Sequence, residues 1–233
     1  MTIEEYLGDW IKVINLDETH KILRQLSSMQ TSSVCPQRKD IFRAFHLCPL
    51  NSLRVCIIGQ DPYSNMRMLP SKEKVPVATG IAFANSADTP ESLYSPSLEV
   101  LRESVIDYSK PHRLITFDPS LEKWESQGVL LLNSALTCEV GRVDSHALLW
   151  WPFMKSLLKS LSTYHTGVVY VLMGTQAQNL EPFINKEQNH ILHIRHPSWY
   201  ARTKTSMPSD IWTEINSILI GQNGYGIEWY KEY

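Results

Sequence analysis

The sequence predicts an α/β fold: a single domain on a central, four-stranded, parallel, twisted sheet flanked by helices. Three observations predict it. The runs VCIIG (Val55–Gly59), VLLLN (Val129–Asn133) and VVYVLMG (Val168–Gly174) are continuously apolar. Strands buried on both faces read this way, and parallel sheets bury both faces. Segments of helical periodicity separate the runs, which places helices over the sheet. Finally, 233 residues at 43% apolar content suffice for one sizeable core.

The elements follow in chain order. Ile3–Ile14 has helical periodicity, and Asp17–Ser28 is a second helix with Asp17 as its expected cap. Ser32–Asp40 is expected to be a loop, and DIFRAF opens a short helix at Asp40. Arg54–Gly59 is the first strand. Ser64–Thr79 is polar and irregular and is expected to be a loop, followed by the short apolar run Gly80–Phe83. Pro96 and Ser97 enter a helix to Tyr108. Pro119–Gln127 is another helix, ended by Gly128. Val129–Asn133 is the second strand and Trp150–Ser162 a helix. Val168–Met173 and His190–Ile194 are the third and fourth strands, and Ser209–Ile220 is a closing helix.

Composition excludes several classes. No apolar run is long enough to span a bilayer. The start, MTIEEYLGDW, is acidic and amphipathic, unlike a signal peptide. Cys35, Cys48, Cys56 and Cys138 form no CxxC pair and have no metal-ligand spacing. The expectation is a reduced, intracellular protein, cytoplasmic or nuclear, without a structural metal. Lys and Arg number 22 against 24 Asp and Glu, a net charge of −2. That charge gives no overall attraction to a polyanion, so a nucleic-acid ligand has to be held by local segments.

In a parallel sheet ligands bind beyond the carboxyl ends of the strands. Gln60, Asp61 and Tyr63 follow the first strand, Asn133 ends the second, Gly174 and Thr175 follow the third, and His196 follows the fourth. An Asp before Pro is most often a turn or cap residue. At a pocket floor, Asp61 can instead orient water and stabilise a cation. His196 precedes Pro197, which restricts it to extended backbone and fixes its ring. A neutral imidazole held this way can donate a hydrogen bond to a leaving group. Asn133 offers donor and acceptor side by side to a planar ligand. Tyr63 and Phe83 serve equally as core residues or as walls for a flat ring. Ser97, Ser145, Thr175 and Ser198 fall in strand-end loops; each alone reads as an ordinary loop residue, and together they can hold phosphates. Arg195, Arg202 and Lys204 form a basic cluster beside Trp199 and Tyr200. Such a cluster suits nucleic acid or a protein partner.

These residues resemble a known family. GQDPYS resembles the Gly-Gln-Asp-Pro-Tyr-His motif of the family-1 uracil-DNA glycosylases, and the approach PQRKDIFRAFHLCPLNSLRVCII is similar to that family's. GIAF, SPSL, GVLLLNSALT, DSHALLW, LMGTQAQ and HPSWY match further family segments in the family's order, over roughly residues 35–220. The resemblance implies a monofunctional, cofactor-free DNA N-glycosylase with a uracil-DNA glycosylase-like fold, which flips uracil out of DNA and leaves an abasic site for base-excision repair. It implies that Asp61 positions water and stabilises the sugar cation, and that His196 stabilises the uracil anion. Asn133 would read uracil, Tyr63 exclude thymine, Phe83 stack, and Gln60 line the same pocket. Ser97, Gly174, Thr175 and Ser198, with Ser145 as a further candidate, would hold the DNA backbone, with Trp199, Tyr200 and Arg202 beside them. The implied partners are DNA and DNA-mimic inhibitor proteins, and the implied state is a monomer.

The chain departs from the family in three places. Ser64 stands where the family has His. Trp199 and Tyr200 replace a proline and a leucine wedge. The loop Ser64–Thr79 differs in sequence. Two other readings stay open: a catalytically weak DNA clamp of a replication complex, and a glycosylase for another modified base. The C-terminal GQNGYGIEWYKEY has no match, which leaves core packing and partner binding both open.

Overall fold

The computed structural model describes residues 2–29, 34–109 and 114–232. Ser32 and Ser33 of the expected loop lie outside the described residues.

Helix α1 is Ile3–Leu7, where Thr2 and Glu5 form a capping box. A 3₁₀ turn, Gly8–Lys12, continues it, so the expected first helix is split at Gly8. Helix α2 is Leu16–Ser27. Its cap is Asn15, whose Oδ1 accepts from Glu18 N at 3.1 Å, and not Asp17, which sits inside the first turn. Strand β1 is Val34–Cys35, helix α3 is Arg43–Leu47 and strand β2 is Val55–Gly59. The expected loop at Ser64–Thr79 contains a hairpin of β3, Met66–Met68, and β4, Lys74–Pro76.

Helix α4 is Pro96–Ser109, strand β5 is Ile115–Thr116 and helix α5 is the short Glu122–Glu125. Strand β6 is Val129–Asn133, β7 is Cys138–Glu139 and helix α6 is Ala147–Tyr164. Strand β8 is Val169–Met173, helix α7 is Thr175–Gln178 and strand β9 is His190–Ile194. Helix α8, Pro197–Thr203, occupies a stretch expected to be a loop. Helix α9, Asp210–Asn223, and strand β10, Lys231–Glu232, complete the chain.

The main sheet has the order β6-β2-β8-β9, and its pairs are parallel, as expected. From β2 the chain adds β6 on one side and then β8 on the other. The switch in direction lies at β2, where open α/β sheets form their ligand crevice. Alternate residues of each strand enter two cores. Cys56, Ile58, Leu130, Leu132 and Leu172 pack with α2, α3 and α6 on one face. Val55, Ile57, Leu131 and Val171 pack with α4 and α9 on the other. The edge strand β6 is covered by its own chain. The fully buried Glu125 accepts Leu131 N–H at 3.1 Å, and Ala82 N–H donates to Leu131 O at 3.2 Å. Burial pushes the Glu125 carboxyl well above the usual carboxylate range.

The C-terminal segment packs on the core. Ile227 and Trp229 are buried, and Trp229 stacks edge-on against Trp124 with ring centroids 4.9 Å apart. Asn216 on α9 holds both backbone groups of Ile227, and β10 pairs antiparallel with β5.

Candidate active site

The pocket forms where β2 and β6 end together. Gly59 and Asn133 are register partners. A Cβ on Gly59 would lie 2.6 Å from Phe83 Cζ and 2.9 Å from Asn133 Oδ1. Only glycine therefore lets the ring and the amide come together over the strand end. Phe83 sits at φ +67°, a rare conformation for a bulky residue. Its carbonyl accepts a hydrogen bond from the Tyr63 hydroxyl at 2.7 Å, which fixes the tyrosine ring beside it. Asp61, Tyr63, Phe83, Asn133 and His196 line one pocket, with Ser97 and apolar side chains including Leu132 and Leu136 in its wall. Gln60, expected in that pocket, lies instead in the adjoining groove.

Asp61 is held by one oxygen. Its Oδ2 accepts the backbone N–H of Asp144 at 2.5 Å, while Oδ1 is buried without a partner among the described residues. Burial is the main reason that the carboxyl rises to about 6; the Asp144 N–H lowers it and the Asp144 side chain raises it. Asp144 also accepts from Gln60 Nε2 at 2.9 Å, through Oδ1.

His196 is the N-cap of α8. Its Nδ1 accepts from Ser198 N at 3.2 Å and lies 2.9 Å from Ser198 Oγ. With Nδ1 an acceptor, the proton of the neutral ring sits on Nε2. Burial, with the positive charge of Arg202 second, lowers the imidazole to about 4. The ring is therefore neutral at physiological pH. It lies 5.6 Å from the Phe83 ring, centroid to centroid. Gly174, at φ +87°, makes room for it: a Cβ there would lie 2.8 Å from His196 Cβ.

A groove of polar character continues from His196. Gly174, Thr175, Ser198, Trp199 and Arg202 line it, as does Arg195, whose guanidinium stacks 4.2 Å over the Trp199 ring. Two expected contacts fall elsewhere. Tyr200 is only 7% exposed and packs into the core, because α8 turns it inward; Trp199 takes the outer position, its ring edge-on to Tyr200 at 5.1 Å. Ser145 Oγ is spent on a turn, accepting from Glu139 N and donating to Arg142 O, each at 2.8 Å. Ser64 contributes its carbonyl to Gly141 N at 2.7 Å.

Sequence reasoning missed Asp144 and Gly59. Asp144 reaches Asp61 across 83 residues of chain, a contact without a local signal. Gly59 carries the signal of a glycine ending an apolar strand, which marks close approach.

Comparisons with known proteins agree with this fold. The sequence profile of the "Uracil DNA glycosylase superfamily" matches residues 45–220. A uracil-DNA glycosylase of Streptococcus pyogenes serotype M4 is 32% identical over 202 residues, covering 85% of this chain and 84% of that protein. The crystal structure of mimivirus uracil-DNA glycosylase superposes with a TM-score of 0.73 at 22% identity, covering 97% of this chain and 90% of that one. A variant of the mimivirus protein in complex with UGI gives a TM-score of 0.76 at 24% identity, over 91% of this chain and 81% of that one.

Proposed function

The chain belongs to the uracil DNA glycosylase superfamily, and from that membership we propose that it removes uracil from DNA by hydrolysing the N-glycosidic bond, with Asp61 and His196 as its catalytic residues. The observation that carries the assignment is the placement of an acid and a neutral imidazole in one pocket with Asn133, Tyr63 and Phe83. Breaking the bond puts positive charge on the sugar and negative charge on the base. Ionised Asp61 opposes the first and orients water through its unpaired Oδ1; the Nε2–H of His196 donates to the second. Because Nδ1 is already accepting, the ring cannot present its lone pair from that side and is set as a donor.

The base must leave the duplex to enter this pocket, at a cost of a few kcal/mol. Phe83 stacks on it, Asn133 pairs with its edge, and Tyr63 closes the side where thymine carries a methyl. An amide matched to uracil is left poorly paired by cytosine. The groove of Gly174, Thr175 and Ser198 holds the flanking phosphates, with Arg195 and Arg202 supplying charge and Trp199 a stacking face. DNA-mimic inhibitor proteins would compete for this same face, and a monomer suffices for the reaction. The four cysteines are free and buried, which supports a reducing compartment, cytoplasmic or nuclear. Among the described residues no helix is long and apolar enough to cross a membrane.

The test is cleavage of a single-uracil oligonucleotide followed by alkaline strand scission, with thymine and cytosine controls. Wild type is expected to cut at uracil alone. Asp61→Asn and His196→Ala should each lose roughly 10²–10⁴ in rate. A folded wild type that binds DNA without releasing uracil would leave the clamp reading in its place.

A further inference from the structure

Asp144 lies in the turn before α6 and touches two neighbours of the reaction at once. Its backbone N–H holds Asp61 Oδ2 at 2.5 Å, and its carboxylate accepts from Gln60 Nε2 at 2.9 Å. Gln60 and Asp61 are adjacent in sequence, so one distant residue clamps the whole exit from β2. Asp144 pays for this with a left-handed backbone, φ +60°. Asp and Asn are the non-glycine residues that best tolerate that conformation.

We propose that Asp144 is a positioning residue for bond cleavage: it orients Asp61 through its N–H, holds Gln60 through its carboxylate, and sets a second negative charge beside the developing sugar cation. The proposal rests on the reading of Asp61 given above. Geometry alone does not require a carboxylate, since an asparagine at this position would keep the N–H, the backbone conformation and an acceptor for Gln60. What the acid adds is charge. Charge next to a developing cation stabilises the transition state, an effect weakened by solvent at the exposed Asp144 side chain, and it also makes Asp61 harder to ionise.

The other groups around Asp61 do not supply that charge. Tyr63, in the same motif, and Cys138, on β7, are kept neutral by upward shifts. Burial keeps His196, at the head of α8, neutral by a downward shift. Glu139 on β7 is paired with Arg142 at 2.6 Å, and Asp144 is the charged neighbour that acts on Asp61. The side chain of Asp144 is thus the charge that faces Asp61.

Asp144→Asn isolates the charge, and Asp144→Gly removes the carboxylate while keeping the N–H and the left-handed turn. Two readouts are needed. The first is the titration of Asp61 itself, by NMR of carboxyl-labelled aspartate assigned with Asp61→Asn. The second is the pH profile of uracil release. In both variants the Asp61 midpoint and the acid limb of kcat/KM should move to lower pH, by roughly 0.5–1 unit. At pH 8 release should fall by roughly 3–10-fold in Asp144→Asn as the cation loses its second charge, and further in Asp144→Gly, where Gln60 is also freed. An Asp61 midpoint unchanged in both variants would overturn the proposal. So would an equal loss of rate at every pH, which is what a structural role alone produces. The titration needs no catalysis, so a wild type that releases no uracil would sink the functional reading and leave the coupling of Asp61 to Asp144 to be decided by NMR.

Discussion

Asp61 is held in a site that works against the stability of the fold. Its carboxyl binds a proton more tightly in the native protein, at about 6, than in an unfolded chain, where carboxylates titrate near 4. The native state thus gains relative stability as pH falls through 6 towards 4, and above 6 it carries the full cost of the buried charge. Activity runs the other way, because the ionised form is the useful one. Below about pH 6, kcat/KM should fall roughly tenfold per unit. Asp61→Asn should melt at a higher temperature than wild type at pH 7.5, and calorimetry should show the gap closing by about pH 4. His196 has the opposite linkage: its imidazole is lowered to about 4, so acidification through 6.5 towards 4 costs native stability in both proteins and cancels from the comparison. At this scale the acid, the imidazole and Asn133 are legible in sequence, because each ends or follows an apolar strand. Asp144 is not, because its role is a contact between distant segments. The family pattern also placed Tyr200 at the DNA, but packing against the core overrides sequence position.

Helix α8 carries the element-scale consequence. It starts from His196, extended at φ −60° and ψ 136°, with Pro197 as its first residue. Those are the marks of a helix start, yet the stretch was expected to be a loop, because it follows a strand end and resembles a loop of the family. Helical spacing then separates neighbours: Trp199 faces the groove and Tyr200 faces the core. Trp199→Ala should lower kcat/KM on duplex substrate by roughly 10-fold, the size of one lost stacking contact, with a smaller loss of melting temperature than Tyr200→Ala, because its ring is only partly buried against the core. Tyr200→Ala should instead destabilise the fold by about 3–5 kcal/mol, the loss expected for a large buried ring. Denaturation and kinetics on the two variants separate the roles; a Trp199→Ala variant with unchanged kinetics would reject the groove contact. The strands of the main sheet were readable because each is a fully or largely apolar run. The β3–β4 hairpin was not, since it is three residues a side, half-exposed and rich in Lys, Met and Pro.

Across the whole molecule the fold is closed by its last residues. Trp229 comes from a segment whose sequence left its role open, yet it lies in the core with Trp124 and Trp212, at 4.9 and 4.8 Å between ring centroids. Its backbone carbonyl accepts the Trp124 Nε1–H at 3.0 Å. Trp229→Ala should cost about 3–5 kcal/mol in chemical denaturation. A cost below about 1 kcal/mol would mean that the C-terminal segment is an appendage. These rings also give the protein an optical division of labour. Of seven tryptophans, Trp10, Trp124, Trp150, Trp212 and Trp229 are buried, and their emission belongs to the blue edge of the spectrum. Trp151 is half-buried against Phe183, away from the groove, and Trp199 is half-buried beneath a guanidinium at the groove. A nucleobase stacking there would darken a redder component and leave the interior trio bright, whereas loss of the C-terminal segment would do the reverse. The unlabelled protein therefore carries separate lamps for its ligand groove and for its closure.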